Sequence, residues 1–205
     1  MIRIATLLPG ACAALLLAAC ASAPLHYYTL VPPAAEGADS ATPAPDSLRF
    51  ELLPVGVPAQ VDQPQLVVRE GSQGVALLDG ERWIAPLGDE VRSALSADLA
   101  RELPGQDVSG LPGGGKPLVR IKLDLRRFDS QLGGYALIEG GWSARMLNTA
   151  HDGVLACTSR VSESVGPGYD ALVQGHQRAI ARLAAQIAVA VRSLAGGQAA
   201  RCPSG

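Results

Sequence analysis

The alternation of apolar and charged positions is clearest over residues 119–125. Charged residues there alternate with four apolar ones, Val119, Ile121, Leu123 and Leu125. Because successive side chains of a strand point to opposite faces, this pattern predicts a strand with one buried face. Residues 135–147 and 154–163 predict two more strands, and Asp152-Gly153 between them tolerates the positive φ of a tight hairpin turn. The short connections should make these three strands antiparallel neighbours.

Two amphipathic helices are predicted by apolar residues that recur every three or four positions. The first spans 86–103 and begins at Pro86, a residue that suits a first helical turn. Asp89 and Glu90 fall in that turn, where the helix dipole favours negative charge, and we expect both to be solvated. The second helix spans about 170–194 and has one apolar face, so it should pack on a sheet.

Shorter apolar runs predict a strand at 26–30, another at 52–57, and a hairpin of 65–69 with 75–78. The strand before the first helix and the strand after it could pair in parallel through a right-handed crossover. Together these elements predict an α+β fold: a single-domain sandwich of a mixed, mostly antiparallel sheet with two long amphipathic helices.

The N-terminus has the features of a lipoprotein signal peptide over residues 1–19. A short basic segment and an apolar stretch lead to Leu17-Ala18-Ala19-Cys20, which matches the bacterial lipobox at each position. A plain secretory signal and an uncleaved anchor are the alternatives, but the apolar stretch is shorter than the roughly 20 residues of a spanning helix. We therefore expect cleavage before Cys20 and attachment of lipid to its sulfur.

The rest of the chain divides by composition into three parts. Residues 20–47 form a tether with one short strand and a Pro-rich loop, 48–196 form the α+β domain, and 197–205 form a flexible tail. Loss of residues 1–19 removes Arg3 and leaves 16 basic against 19 acidic residues, a net charge of −3. That balance argues against nucleic-acid binding and against attraction to anionic lipid, so membrane contact should come from the N-terminal lipid.

Two cysteines remain once Cys12 leaves with the signal peptide and Cys20 is acylated. Cys157 and Cys202 could form a disulfide, because the compartment beyond the inner membrane is oxidising. They could equally remain two unpaired thiols, one in a strand and one in the tail.

Several motifs resemble catalytic or cofactor sites but lack an essential residue. The glycine-rich loop 110–117 has Pro117 where a P-loop needs Ser or Thr for magnesium. Ser143 lies inside a predicted strand and not on the strand-to-helix turn of a nucleophile elbow. The three histidines are too scattered for a metal site: His26, His151 and His176. We expect no enzymatic activity, cofactor or metal, and we expect Trp83 and Trp142 to pack in the core.

In their order along the chain, five short motifs resemble the ABC-type transport auxiliary lipoprotein family. They are the lipobox, Tyr27-Tyr28-Thr29-Leu30, Gln65-Leu66-Val67-Val68-Arg69, Arg82-Trp83-Ile84-Ala85-Pro86-Leu87 and Tyr169-Asp170-Ala171-Leu172-Val173. The resemblance implies a non-enzymatic component that works beside an ABC permease and a periplasmic protein with mammalian-cell-entry (MCE) domains, which move lipids between two membranes. The chain departs from the family at Gln60-Val61-Asp62-Gln63, where Tyr-Leu-Asp-Arg is common.

The same resemblance implies an outer-membrane location, with the domain on the periplasmic face. Ala21 follows the lipidated cysteine, where Asp would favour retention in the inner membrane. The polar loops 59–64 and 110–117 are the expected docking surface, since loops on a rigid scaffold often carry binding. A homo-oligomer is possible, and an envelope assembly or scaffold lipoprotein unrelated to lipid transport is the alternative function.

Overall fold

The computed structural model describes residues 24–33, 48–103, 105–112, 114–149 and 153–203. Within these ranges the chain forms eight strands and two helices. The helices are α1 (Leu87–Glu102) and α2 (Tyr169–Ala195). The strands are β1 (His26–Tyr28), β2 (Leu48–Leu52), β3 (Gln65–Glu70), β4 (Gly74–Trp83), β5 (Gly105–Asp107), β6 (Leu118–Gln131), β7 (Tyr135–Leu147) and β8 (Val154–Ser164).

The strands divide between two mixed sheets. A large sheet has the order β5-β2-β6-β7-β8, and a small sheet has the order β1-β4-β3. The strands β6, β7 and β8 are antiparallel neighbours, as their alternating pattern and short turns predict. The α+β single-domain fold is therefore confirmed, although the strands form two sheets where the sequence predicts one.

The predicted parallel pair across the first helix is wrong. The strand before α1 is β4, which has β1 on one edge and β3 on the other, so no edge is left for β6. The parallel partner of β6 is β2, with Phe50 opposite Val119. This strand also begins and ends earlier than the predicted 52–57, although Leu53 still donates to the carbonyl of Ile121 at 2.9 Å.

The main core lies between the inward face of the large sheet and the two helices. Ile121, Leu123 and Trp142 point into it from the sheet, and Leu99 and Ile180 from the helices, all of them buried. This arrangement confirms the apolar stripes of the two predicted helices.

A close approach between α2 and the sheet depends on a glycine. A side-chain carbon on Gly175 would lie 2.2 Å from Cγ1 of Val165 and 3.0 Å from Cβ of Ala136. A larger residue there would force either Val165 or the helix to shift.

An aromatic stack joins the two sheets to α2. The ring of Phe128 in β6 lies parallel to the ring of His176 in α2, with centroids 3.9 Å apart. The edge of Trp83 in β4 meets Phe128 at 6.1 Å. Ser130 Oγ lies 2.8 Å from Nε2 of the buried His176, and Nδ1 has no hydrogen-bond partner in the described part of the chain.

Candidate docking surfaces

The predicted signal peptide and Cys20 lie outside the described residues, so cleavage and acylation there stay predictions. The chain is first described at Pro24 and enters the small sheet as β1, which runs parallel to β4. Glu81 in β4 accepts hydrogen bonds from the Tyr28 hydroxyl at 2.6 Å and from His26 Nδ1 at 3.0 Å. Burial raises the pKa of Glu81, but these hydrogen bonds outweigh burial and leave its pKa below the ordinary value.

A buried carboxylate then fixes the residues that follow β1. Glu90 Oε2 accepts hydrogen bonds from the Thr29 hydroxyl at 2.8 Å and from the backbone N–H of Leu30 at 2.7 Å. Leu30 itself is fully buried. The expectation of a solvated Glu90 is therefore wrong, because a segment 60 residues away in sequence covers it, while Asp89 is exposed as predicted.

The predicted docking loop 59–64 is held firmly on the scaffold. The side chain of Val61 is buried in the core, and the Pro58 carbonyl accepts hydrogen bonds from the N–H groups of Val61 and Asp62. The loop borders a partly open cleft of about 360 Å³, lined by Asp62, Gln63, Pro64, Trp83, Ile84, Ala85 and Pro86. Its outer residues are exposed, so a partner could reach them without unfolding the loop.

The second predicted loop, 110–117, is exposed wherever it is described and lines none of the described clefts. Gly110, Gly114 and Gly115 have positive φ, which side chains rarely adopt, so the glycines allow the tight path. The side-chain amide of Asn148 donates to the carbonyl of Lys116 at 3.1 Å.

A groove that the sequence does not predict lies on the outer face of the large sheet. It measures about 520 Å³, and its lining includes Lys122, Asp124, Arg126, Gly141, Ser143 and Thr158. Ser143 faces Lys122 across the β6–β7 pair, but no histidine lines the groove to act as its base. The groove is open and polar, and its lysine is already paired with Asp124 at 2.9 Å.

Other residues singled out from the sequence occupy structural positions. Trp83 and Trp142 are buried, and the Trp142 indole donates to the Ser159 hydroxyl at 2.9 Å. Burial lowers the pKa of His176 to about 3, so this histidine is neutral at pH 7. His151 lies outside the described residues, and within them no three metal-ligating side chains come together.

Cys157 and Cys202 are joined by a disulfide in the structure. Their sulfurs lie 2.07 Å apart and their Cα atoms 5.5 Å apart. The bond ties the C-terminal segment to β8, the edge strand of the large sheet. An edge strand covered in this way is less open to pairing with another chain. Whether the thiols pair in the cell stays a prediction, which thiol alkylation tests.

The small sheet has an exposed apolar surface that is not predicted from the sequence. It consists of Leu25, Tyr27, Val75 and Leu77, and we call it the small-sheet face. The sequence signal was present, since Val75, Ala76, Leu77 and Leu78 are apolar without alternation. Such a run predicts a strand with both faces apolar, and the outer face of this strand has no cover among the described residues.

Membrane attachment by a spanning helix finds no support in the described residues. Neither α1 nor α2 is both long and apolar enough to cross a bilayer.

Comparison with known proteins gives a consistent family assignment. A family model described as the ABC-type transport auxiliary lipoprotein component matches residues 28–188. The intermembrane transport lipoprotein PqiC of Escherichia coli (strain K12) is 26% identical over 186 residues, which cover 89% of this chain and 95% of that protein. PqiC of Shigella flexneri is similar to the same extent.

Two crystal structures share the fold. One, of an uncharacterized protein, has a TM-score of 0.62 and 20% identity, covering 81% of this chain and 97% of the other. The second, of protein XCC0632 from Xanthomonas campestris, has a TM-score of 0.56 and 15% identity, covering 84% and 96%. At these identities the similarity supports the architecture and nothing beyond it.

Proposed function

The chain belongs to the ABC-type transport auxiliary lipoprotein family, and we propose that it is the lipid-anchored docking component of an intermembrane lipid transport system. The observation that carries this proposal is the family match, which spans both sheets and both helices from β1 to α2. The similarity to intermembrane transport lipoproteins over nearly their whole length supports it.

Lipid on Cys20 would attach the chain to the periplasmic face of the outer membrane. The lipobox Leu17-Ala18-Ala19-Cys20 and the following Ala21 support this location. Each buried CH₂ of an acyl chain contributes about 0.8 kcal/mol, so several chains on one cysteine hold the protein firmly. Intact-mass measurement of membrane-extracted protein should show loss of residues 1–19 and added acyl mass.

The partners would be a periplasmic MCE-domain protein and, through it, the ABC permease. Docking would use the loops 59–64 and 110–117, with the cleft beside Trp83 accepting part of the partner. The exposed Asp62 lines that cleft, and the exposed Gln60 precedes it by two residues on a loop fixed by Val61. A preformed loop binds without the entropy cost of ordering it. Several copies could dock together as a homo-oligomer.

Binding between the acylated full chain in detergent and the MCE-domain protein encoded in the same genome tests this proposal. Gln60→Trp adds bulk and Asp62→Arg reverses a charge, and each should weaken binding by about tenfold or more. Ser162→Arg, an equally exposed change on β8, is the matched control and should bind normally. All three variants should melt within about 3 °C of the wild type, because surface changes cost little stability.

Two results distinguish an error in the proposed docking surface from an error in the proposed transport function. Normal binding by both variants would mean that the loop 59–64 is not part of the docking surface. No affinity in the wild-type chain, together with recovery of other envelope machinery in a pull-down, would favour a scaffold lipoprotein unrelated to lipid transport.

A further inference from the structure

The small-sheet face is an exposed apolar surface, whereas the exposed side of the large sheet is charged. Its four side chains are 46% (Leu25), 54% (Tyr27), 55% (Val75) and 48% (Leu77) exposed. Single exposed apolar residues are ordinary, but a group of them on one small sheet indicates an interface.

The four side chains share the outer side of the small sheet. Ala76 and Leu78, which alternate with Val75 and Leu77, pack against buried residues of the core. The β3–β4 register shifts between Gln65 and Leu66, so the alternation is followed separately in β1. There Tyr28 pairs with Trp83, and both contact the core. Tyr27, the exposed residue before Tyr28, therefore points outward. Leu25, two residues before Tyr27, follows the same alternation.

The position of the predicted anchor relative to this face is limited by chain length. Leu25 is five positions after Cys20, so the Cα atom of the lipidated cysteine lies within about 18 Å of the Cα atom of Leu25. The carbonyl of Pro24 is 3.6 Å from the position of a side-chain carbon on Gly80, and β1 runs parallel to β4. The chain therefore reaches the sheet along β4, beside the face itself.

The chemistry of the face suits lipid better than a charged partner. Leucine and valine supply apolar area, and tyrosine has an apolar ring with a polar end, a combination common at membrane interfaces. Charges of both signs lie beside the face: Arg82 is the cross-strand neighbour of Tyr27, and Arg69 is that of Val75. Asp79 follows Leu77, and the chain after cleavage carries a net negative charge. With both signs of charge beside an apolar face, the proposed contact is apolar and not specific for anionic headgroups.

We propose that the small-sheet face lies against the bilayer that holds the acylated Cys20. This inference rests on the proposed lipid anchor. A domain with two contacts, the lipid and this face, keeps a fixed orientation on the membrane and does not swing on its tether, so its docking loops are presented in one direction.

The experiment uses full-length acylated protein in phosphatidylcholine vesicles with and without brominated acyl chains. Leu77→Trp and Leu25→Trp each place an indole on the face, and Leu111→Trp and Val154→Trp place one at exposed apolar positions elsewhere. Subtracting the wild-type spectrum removes the signal of Trp83 and Trp142. We expect blue-shifted emission and at least about twofold quenching by brominated lipid at positions 77 and 25, and neither effect at the two control positions.

Each other result overturns the inference in a distinguishable way. Water-like emission without quenching at positions 25 and 77 would leave the face in solvent. Blue-shifted emission that brominated lipid does not quench would place a protein, either a second copy or a partner, against it. Intact mass on the same sample separates the two proposals: absence of acyl mass overturns the proposed anchor, and its presence with unquenched indoles overturns this inference alone.

Discussion

The two sheets present opposite kinds of surface to the outside. The outer side of the large sheet carries long charged residues, among them Arg120, Lys122, Asp124 and Arg126, all exposed. Ion pairs on this surface include Glu51 with Arg120 at 2.7 Å and Lys122 with Asp124 at 2.9 Å. The small-sheet face instead exposes leucine, valine and tyrosine in similar outward positions.

This difference follows from two patterns that are visible in the sequence. In β6 every second residue is charged, which is typical of a sheet with one solvated side. In β4 the run Val75-Ala76-Leu77-Leu78 is apolar at each position, which is typical of a strand covered on both sides. A strand of the second kind on the surface of a single chain indicates that something else covers it.

The largest expected effect is the difference in stability loss between truncation of a buried leucine and truncation of an exposed one. Leu123 is fully buried on the inner face of the large sheet, so Leu123→Ala should lower the free energy of unfolding by about 2–5 kcal/mol. Leu77→Ala, the same change on the small-sheet face, should cost less than about 1 kcal/mol in detergent-free solution. Urea unfolding measures both. A loss of several kcal/mol at Leu77 would mean that the small-sheet face belongs to the core.

Loss of the Cys157–Cys202 bond should have the next largest effect, on the edge of the large sheet. The bond spans 45 residues, and closing a loop of that size stabilises the folded state by about 2–4 kcal/mol. Unfolding of the oxidised wild type should therefore require more urea than unfolding of the Cys157→Ala/Cys202→Ala variant. Alkylation without reductant is the direct check, and two reactive thiols on protein from the periplasmic face would exclude the bond.

The antiparallel part of the large sheet could be predicted because its information is local. β6, β7 and β8 are joined by short turns, so their pairing follows from the chain order. The pairing of β2 with β5 and β6 is not local, since β3, β4 and α1 intervene in sequence. Periodicity identifies a strand but does not name its partner.

The same limit applies to the candidate surfaces. The loop 59–64 could be predicted as exposed and polar from its own residues. Burial of Glu90 depends on Thr29 and Leu30, which its helix pattern cannot reveal. Val75 and Leu77 of the small-sheet face could have been recognised from the run at 75–78, whereas Leu25 and Tyr27 join them only through the pairing of β1 with β4.

Acid should destabilise the aromatic contact between the two sheets and α2, because His176 is part of it. Burial lowers the pKa of this residue to about 3, against about 6.5 when unfolded, so the unfolded state binds the proton first. Stability is therefore complete above pH 6.5 and falls by up to about 1.4 kcal/mol per pH unit between pH 6 and pH 3. His176→Gln keeps a polar group near Ser130 but does not titrate.

The difference between wild type and His176→Gln isolates this contribution. Both proteins share the acid loss due to Glu81, whose pKa is also below its ordinary value. Denaturant unfolding at several pH values should give a shallower slope for the variant. Equal slopes would show that His176 is not the group that senses acid.

Removal of the charge on Glu90 should increase the mobility of the segment that follows β1, which contains Thr29 and Leu30. Glu90→Gln keeps the shape of the side chain but weakens the bonds from Thr29 and Leu30, at a cost of about 1–2 kcal/mol. Hydrogen exchange at the Leu30 amide should become faster. Asp89→Asn, an exposed neighbour in the same helical turn, is the control: it should leave exchange at Leu30 unchanged and cost less than about 1 kcal/mol through the helix dipole.

The smallest effect should come from the charged face of the large sheet. Arg120 and Glu51 are 46% and 26% exposed, and water screens the attraction between charges at such positions. Arg120→Ala should therefore change stability by less than about 1 kcal/mol, and a double-mutant cycle with Glu51→Ala should give a coupling of about 0.2–1 kcal/mol that disappears in 1 M salt.

The same cycle measured on acylated protein in vesicles sharpens the contrast between the two faces. If only the small-sheet face meets lipid, the coupling and its salt sensitivity stay as they are in solution, because water still reaches the large sheet. A coupling above about 2 kcal/mol, or one that salt no longer removes, would mean that the charged face is covered as well, since charges lose screening only when they lose water.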